Sequence, residues 1–168
     1  MAVNPEIDLV KGFREMQPDD VSDILQIENS VYSNPWTEGI FKDCIRVGYN
    51  CWVYMEQDEL VSYGLVAVAA DEAHILNLCV SPDVQGQGHG KRMLYKLIAL
   101  AEERRAHSIF LEVRKSNNVA KELYQQEGFN RIGLRKDYYP SAYGREDALV
   151  FARELSLDQR FQPDDGSD

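Results

Sequence analysis

A chain of 168 residues, 44% hydrophobic and 27% charged, has the composition of an ordinary globular protein and is long enough to build one domain around a substantial core. Its formal net charge of −10 argues against a nucleic-acid-binding module, which needs a basic face; it suits a basic or cationic partner, although part of the excess lies in Asp158 to Asp168 as plain solubility charge. No run of about 18 apolar residues spans a membrane, no signal peptide is spelled, and Cys44, Cys51 and Cys79 lack metal-ligand spacing, so they read as reduced thiols in a cytoplasmic protein.

Residues 1–9 are expected to form an N-terminal extension and residues 10–17 a first strand. Pro18-Asp19-Asp20 opens a helix whose apolar face is Val21, Ile24, Leu25 and Ile27. Ser33-Asn34-Pro35-Trp36-Thr37 breaks it, and Thr37 with Glu38 starts a second helix running to about Val47. Strands follow near 51–56, 60–69 and 73–80, separated by turns at Gln57-Asp58 and Asp71-Glu72. A helix from Gly90 to Arg105 places Met93, Leu94, Leu97, Ile98 and Ala101 on one stripe. Next come a strand over 108–113, a helix from Asn118 to Glu127 closed by Gly128, and strands near 129–137 and 147–154. This order predicts an α/β (α+β) domain over residues 10–155. Its sheet is mixed and mainly antiparallel, of six to seven strands, with about four helices on both faces and a right-handed parallel crossover from 76–80 to 108–113. Residues 156–168 read as an acidic, disordered tail.

Between the apolar strand ending at Val80 and the long helix stand Gly86, Gly88 and Gly90. Glycines there allow close backbone approach, and the helix N-terminus behind them presents free N–H groups, a combination that suits phosphate. The spelling fails as a P-loop, because Arg92 follows Gly90-Lys91, and as a dinucleotide fingerprint, because Met93 stands where the last glycine belongs. A glycine-rich turn also serves as a plain strand–helix connection.

The spelling that fits is Gln/Arg-x-x-Gly-x-Gly/Ala, met by Gln85, Gly88 and Gly90. It resembles the pyrophosphate loop of the GCN5-related N-acetyltransferase (GNAT) family, which binds acetyl-CoA, and the element order over about 10–155 is similar to the fold of that family. Leu111-Glu112-Val113-Arg114-Lys115-Ser116-Asn117-Asn118, Leu123-Tyr124-Gln125-Gln126-Glu127-Gly128-Phe129, Tyr138-Tyr139-Pro140 with Glu146-Asp147-Ala148, and Pro35-Trp36-Thr37-Glu38 resemble the RimI-type branch. That branch acetylates the N-terminal alanine of a small-subunit ribosomal protein. The resemblance implies direct transfer in a ternary complex, a ribosomal-protein N-terminal peptide as partner, no metal, no membrane and no nucleic-acid substrate; a monomer is expected.

Acetyl transfer to an amine needs a neutral nucleophile, a stabilised oxyanion and a protonated leaving thiol. Glu112 stands in an apolar strand whose alternation puts Ile109, Leu111 and Val113 on one face and Phe110 and Glu112 on the other. A carboxylate there is costly to bury without partner or purpose; it fits a general base or a Glu paired with a neighbouring Arg or Lys, and the matching family position carries the base. Tyr124, seven residues beyond Asn117 on the same side of a helix, fits a packed core tyrosine or a proton donor, and the family uses the corresponding tyrosine as the acid.

By resemblance, the backbone of Leu78, Cys79 and Val80 holds the pantetheine arm and the acetyl carbonyl. The loop Gln85, Gly86, Gln87, Gly88, His89, Gly90 and Lys91 takes the pyrophosphate. Asn117 fits both a CoA contact and a plain helix cap. Trp36, Tyr138 and Tyr139 are the implied acceptor walls, between the helix–helix loop and the last hairpin. The chain departs from the branch at Gly86 and Gln87, where arginines are common, leaving backbone dipoles, Lys91 and Arg92 to offset the phosphates. Cys79 has no adjacent histidine to activate it, and His74, His89 and His107 read as surface or loop residues without ligand spacing. Two other readings are a GNAT enzyme for lysine, polyamine or another small amine, and a non-catalytic acyl-CoA-binding regulator.

Overall fold

The computed structural model describes residues 11–155, so the expected extension over 1–9 and tail over 156–168 lie outside the described residues. The elements are β1 (Gly12–Glu15), α1 (Val21–Val31), α2 (Glu38–Val47), β2 (Asn50–Glu56), β3 (Glu59–Ala69), β4 (Glu72–Val80), α3 (His89–Glu103), β5 (Ser108–Arg114), α4 (Asn118–Gln126), β6 (Asn130–Ser141) and β7 (Gly144–Glu154). Short 3-10 turns at Pro18–Asp20 and Pro82–Val84 lead into α1 and into the glycine loop. Among the described residues the sheet runs β1-β2-β3-β4-β5-β7-β6, parallel between β4 and β5 and antiparallel at the other pairs. The expected mixed sheet, with helices on both faces, is present.

Local chemistry explains where the elements begin. Asp20 accepts from the Gln17 backbone N–H at 2.7 Å and from both terminal nitrogens of Arg14 at 2.7 Å, tying β1 to the entry of α1. The Thr37 side chain accepts from the Ile40 N–H and caps α2. One apolar cluster joins Met93, Leu94, Leu97, Ile109, Leu111 and Phe129 between the sheet and helices α3 and α4; the other joins Ile24, Phe41, Tyr63 and Leu65 between the sheet and helices α1 and α2. A Cβ on Gly64 would stand 2.9 Å from Leu97 and Met93, so this glycine lets α3 lie directly on β3.

One irregularity makes the site. Leu65 pairs with Asn77 and Val66 with Ile75, leaving Leu76 as an extra residue in β4. The β4–β5 ladder stops beside it, at His74 opposite Phe110. From Ile75 to Val80 the side of β4 facing β5 therefore has no strand partner among the described residues, and a cleft opens between the two parallel strands.

The last hairpin extends beyond the strands expected near 129–137 and 147–154. The register breaks between Arg135 and Tyr139, with Asp137 at φ +51°, and then resumes through Tyr139 opposite Glu146. The Asp137 N–H donates to the Asp147 carboxylate at 2.9 Å, and Arg145 donates to the Asp137 carbonyl at 2.7 Å. These bonds replace ladder bonds across the break. No local periodicity announces a strand interrupted and resumed in this way.

Candidate active site

The cleft between β4 and β5 has a volume of about 170 Å³ and is lined by Glu28, Tyr32, Trp36, Asn77, Leu78, Glu112, Asn117, Tyr124 and Tyr139, among others. Of the residues singled out in the sequence, Glu112, Tyr124, Asn117, Leu78, Trp36 and Tyr139 meet here. Tyr138 does not line it: half-exposed, it packs edge-on against Tyr139 at 4.9 Å under the Arg135 guanidinium.

Glu112 arrives by strand alternation: Ile109, Leu111 and Val113 are buried beneath the sheet, and Glu112 faces the other way. Its side chain is 8% exposed, with Oε2 at 2.6 Å from His74 Nε2 and Oε1 at 3.3 Å from Arg135 Nε. The hydrogen bond from His74 holds the Glu112 carboxyl below the usual carboxylate range, against burial, which pushes it up; the charges of His74 and Arg135 add to the lowering. Glu112 is thus ionised at neutral pH. His74, which reads from the sequence as a surface or loop residue, is instead a part-buried strand residue stacked on Phe110 at 4.5 Å. The β4–β5 pairing decides this by setting His74 beside Phe110, two residues from Glu112.

Tyr124 comes from α4 and is buried against Phe129. Burial, and then the nearby Tyr139 and Cys79, raise its phenol well above the ordinary value, so it keeps its proton at any working pH. Asn117 caps α4, accepting from the Ala120 N–H at 3.2 Å, and also lines the cleft. Cys79 is buried and free, its thiol pushed up to about 11 chiefly by burial, which makes it a poor nucleophile.

Glu28 escapes the sequence reading. It is 2% exposed, on α1. Its carboxylate accepts from the Tyr63 hydroxyl, from Asn77 Nδ2 at 3.1 Å and from the Trp36 backbone N–H at 3.1 Å. The available signal was its position: Glu28 is four residues after Ile24 and seven after Val21, on the apolar stripe rather than the wet face.

The glycine loop can be tested for fit to a pyrophosphate. Gly86 and Gly88 have φ +78° and +82°, a left-handed backbone that disfavours side chains, and their missing Cβ atoms would meet only open space. Gly88 also caps α3, whose first N–H groups have no intrahelical acceptor. At Gly90 a Cβ would make ordinary contacts, 3.5 Å from Leu123 and 3.8 Å from Val80, which agrees with an alanine being allowed there in the motif. The loop fits an anion through its backbone.

Its cations are partly engaged elsewhere. Lys91 Nζ lies 3.4 Å from Glu127, and Arg92 donates to His89 Nδ1 at 2.8 Å while covering the Tyr54 ring. His89 is therefore a buried residue at the root of α3, not the surface histidine the sequence suggests: helix α3 turns it inward against Tyr54.

Residues 19–129 match the model of the Acetyltransferase (GNAT) family. The chain belongs to this family. As a GNAT chain it is 37% identical over 137 residues to the [Ribosomal protein bS18]-alanine N-acetyltransferase of Haemophilus ducreyi, covering 81% of this chain and 94% of that protein. It is 34% identical to the Escherichia coli K12 protein of that name over 84% of this chain and 96% of the relative. The crystal structure of the ribosomal-protein-S18-alanine N-acetyltransferase from Escherichia coli superposes with a TM-score of 0.83 at 32% identity, over 90% of this GNAT chain and 97% of that one. The seven-stranded mixed sheet with four α-helices is the architecture of a GNAT fold.

Proposed function

We propose that this chain transfers the acetyl group of acetyl-CoA to the α-amine of an N-terminal alanine, and that its acceptor is the N-terminus of ribosomal protein bS18. The observation that carries the reading is the pairing, on one cleft, of an ionised carboxylate, Glu112, with a phenol that keeps its proton, Tyr124. Kinship with bS18-alanine N-acetyltransferases supports the acceptor.

Acetyl-CoA supplies the thioester. The loop from Gln85 to Lys91 takes the pyrophosphate, while the unpaired edge of β4 at Leu78, Cys79 and Val80 holds the pantetheine arm and donates backbone N–H to the developing oxyanion. Glu112, through a cleft water, takes the proton that the amine nitrogen sheds as its bond to the acetyl carbon forms. Tyr124 gives its proton to sulfur as the C–S bond breaks. One proton gained at Glu112 and one lost at Tyr124 balance, and exchange through cleft water restores the resting state.

Base strength bears on the acceptor. A carboxylate held below its usual range is a weak base. That suffices for an α-amine, whose pKa is about 8, and serves a lysine amine near 10.4 less well. Trp36 and Tyr139 form the acceptor walls. The test is a screen of N-terminal peptides with acetyl-CoA, reading the acetyl position by mass spectrometry. Modification of the alanine α-amine of the bS18 peptide is expected; acetylation confined to lysine side chains or small amines overturns the reading, as does CoA binding with no product.

A further inference from the structure

We propose that His74 is a positioning residue for the transfer step: by donating from Nε2 to one oxygen of Glu112 it aims the other oxygen at the cleft, and its charge state sets how strongly Glu112 draws a proton. This rests on the proposed function, in which Glu112 is the base.

The geometry is specific. An ionised carboxylate only accepts, so the 2.6 Å contact places a proton on His74 Nε2 and occupies Glu112 Oε2. Phe110 stacks on the imidazole with an interplanar angle of 17° and holds it flat beside the carboxylate. Arg135 from β6 lies 3.3 Å from Oε1, and Tyr139, also from β6, faces Glu112 across the cleft wall. His74 thus meets the charged Glu112 of β5 directly, and Arg135 of β6 reaches the same carboxylate at its other oxygen. The His74 side chain is 32% exposed, against 8% for Glu112, so solvent protons reach the imidazole more readily than the carboxylate.

Imidazole changes charge between about pH 5 and 8, where no other unperturbed side chain does. As imidazolium, His74 favours the Glu112 anion and weakens it as a base; as neutral imidazole it keeps the hydrogen bond and lifts that restraint. Turnover therefore rises as His74 loses its proton, in addition to the rise caused by ionisation of the acceptor amine.

The decisive comparison is kcat of the wild type and His74→Gln, at saturating acetyl-CoA and alanine peptide, from about pH 5.5 to 8.5. Glutamine keeps a donor and cannot change charge. Acceptor ionisation is common to both proteins, so the ratio of wild type to variant isolates His74. The ratio is expected to rise about three- to tenfold across this range through one inflection, with KM for acetyl-CoA unchanged. His74→Ala is expected to lower kcat at every pH, and His74→Gln to recover most of that loss at low pH. A flat ratio, in a wild type that turns over and loses turnover as Glu112→Gln, overturns the proposal. Retained turnover in Glu112→Gln instead overturns the assignment of the base. An NMR titration of the wild-type imidazole, which needs no His74 variant, must show its midpoint moving to lower pH in Glu112→Gln; an unmoved midpoint also sinks the proposal.

Discussion

Trp36 gives its backbone N–H to the Glu28 side chain at 3.1 Å, so the loop that forms one wall of the cleft is fastened to a buried carboxyl group of α1. The same carboxylate binds Tyr63 on β3 and Asn77 on β4, close to the Leu76 bulge that opens the site. Glu28 thereby couples the position of the Trp36 wall of the cleft to the geometry of the strand edge.

Removing the Glu28 carboxyl group should act through both links. Glu28→Ala takes the acceptor from the buried Tyr63 hydroxyl and from the part-buried Asn77 amide and is expected to cost about 2–4 kcal/mol, read from urea denaturation. Glu28→Gln should keep the fold and raise the acceptor KM several-fold more than the acetyl-CoA KM. Equal effects on the two KM values would separate Glu28 from the acceptor wall.

The proposed base and acid make a different prediction. Glu112→Gln and Tyr124→Phe are expected to fold and to bind CoA with near-normal affinity, while kcat falls about 10²- to 10⁴-fold, the range for lost acid or base catalysis. Stopped-assay rates across pH, with calorimetric CoA titration, check this. Near-normal turnover in both would remove their roles.

Within the loop, backbone conformation distinguishes two glycines of identical spelling. Gly88→Ala forces a side chain at φ +82° and is expected to weaken CoA binding roughly tenfold, a strain of about 1–2 kcal/mol. Gly90→Ala meets only ordinary contacts and should bind CoA almost normally. Gln87→Arg adds a cation beside Lys91 and Arg92, which are partly engaged by Glu127 and His89, and should tighten binding several-fold at low salt, with the gain shrinking as salt rises. Calorimetry at two ionic strengths measures all three.

Stability in acid should depend on Asp20. Its hydrogen bond from Arg14 holds the carboxyl below its ordinary value, with the Gln17 N–H assisting and burial opposing. A depressed folded-state pKa contributes stability that is fully present above the unfolded value, about 3.9, and is lost as pH falls through the folded value. Denaturation midpoints of the wild type should therefore drop steeply below about pH 4, whereas Asp20→Asn should be less stable at pH 7 and flatter across that window. Parallel slopes in the two proteins would exclude Asp20 as a source of the acid sensitivity.

Much of the fold was legible because its signals are local. The stripe Met93, Leu94, Leu97, Ile98, Ala101 has helical period, and Ile109, Leu111, Val113 has strand period; each was buried on the side its pattern assigned. Thr37, Asn117 and Gly128 end elements through bonds or angles contained within a few residues. Glu112 and Tyr124 were legible as candidates by type and spacing, and the cleft brings them together.

What the amino-acid order determined by itself was the succession of elements, the glycine loop ahead of α3 and the candidacy of Glu112 and Tyr124, since each depends on patterns within a turn, a strand or a helix. Only the tertiary structure decided the rest. The cleft exists because an extra residue, Leu76, ends the pairing of β4 with a strand some thirty residues away. His74 acts on Glu112 because that same pairing sets them side by side, 38 positions apart in the chain. Glu28 is an anchor rather than a solvated helix charge because Tyr63 and Asn77 reach it from 35 and 49 residues away. A hydrogen bond across such a separation leaves no period in the sequence, and its energy depends on burial that only the packed fold creates.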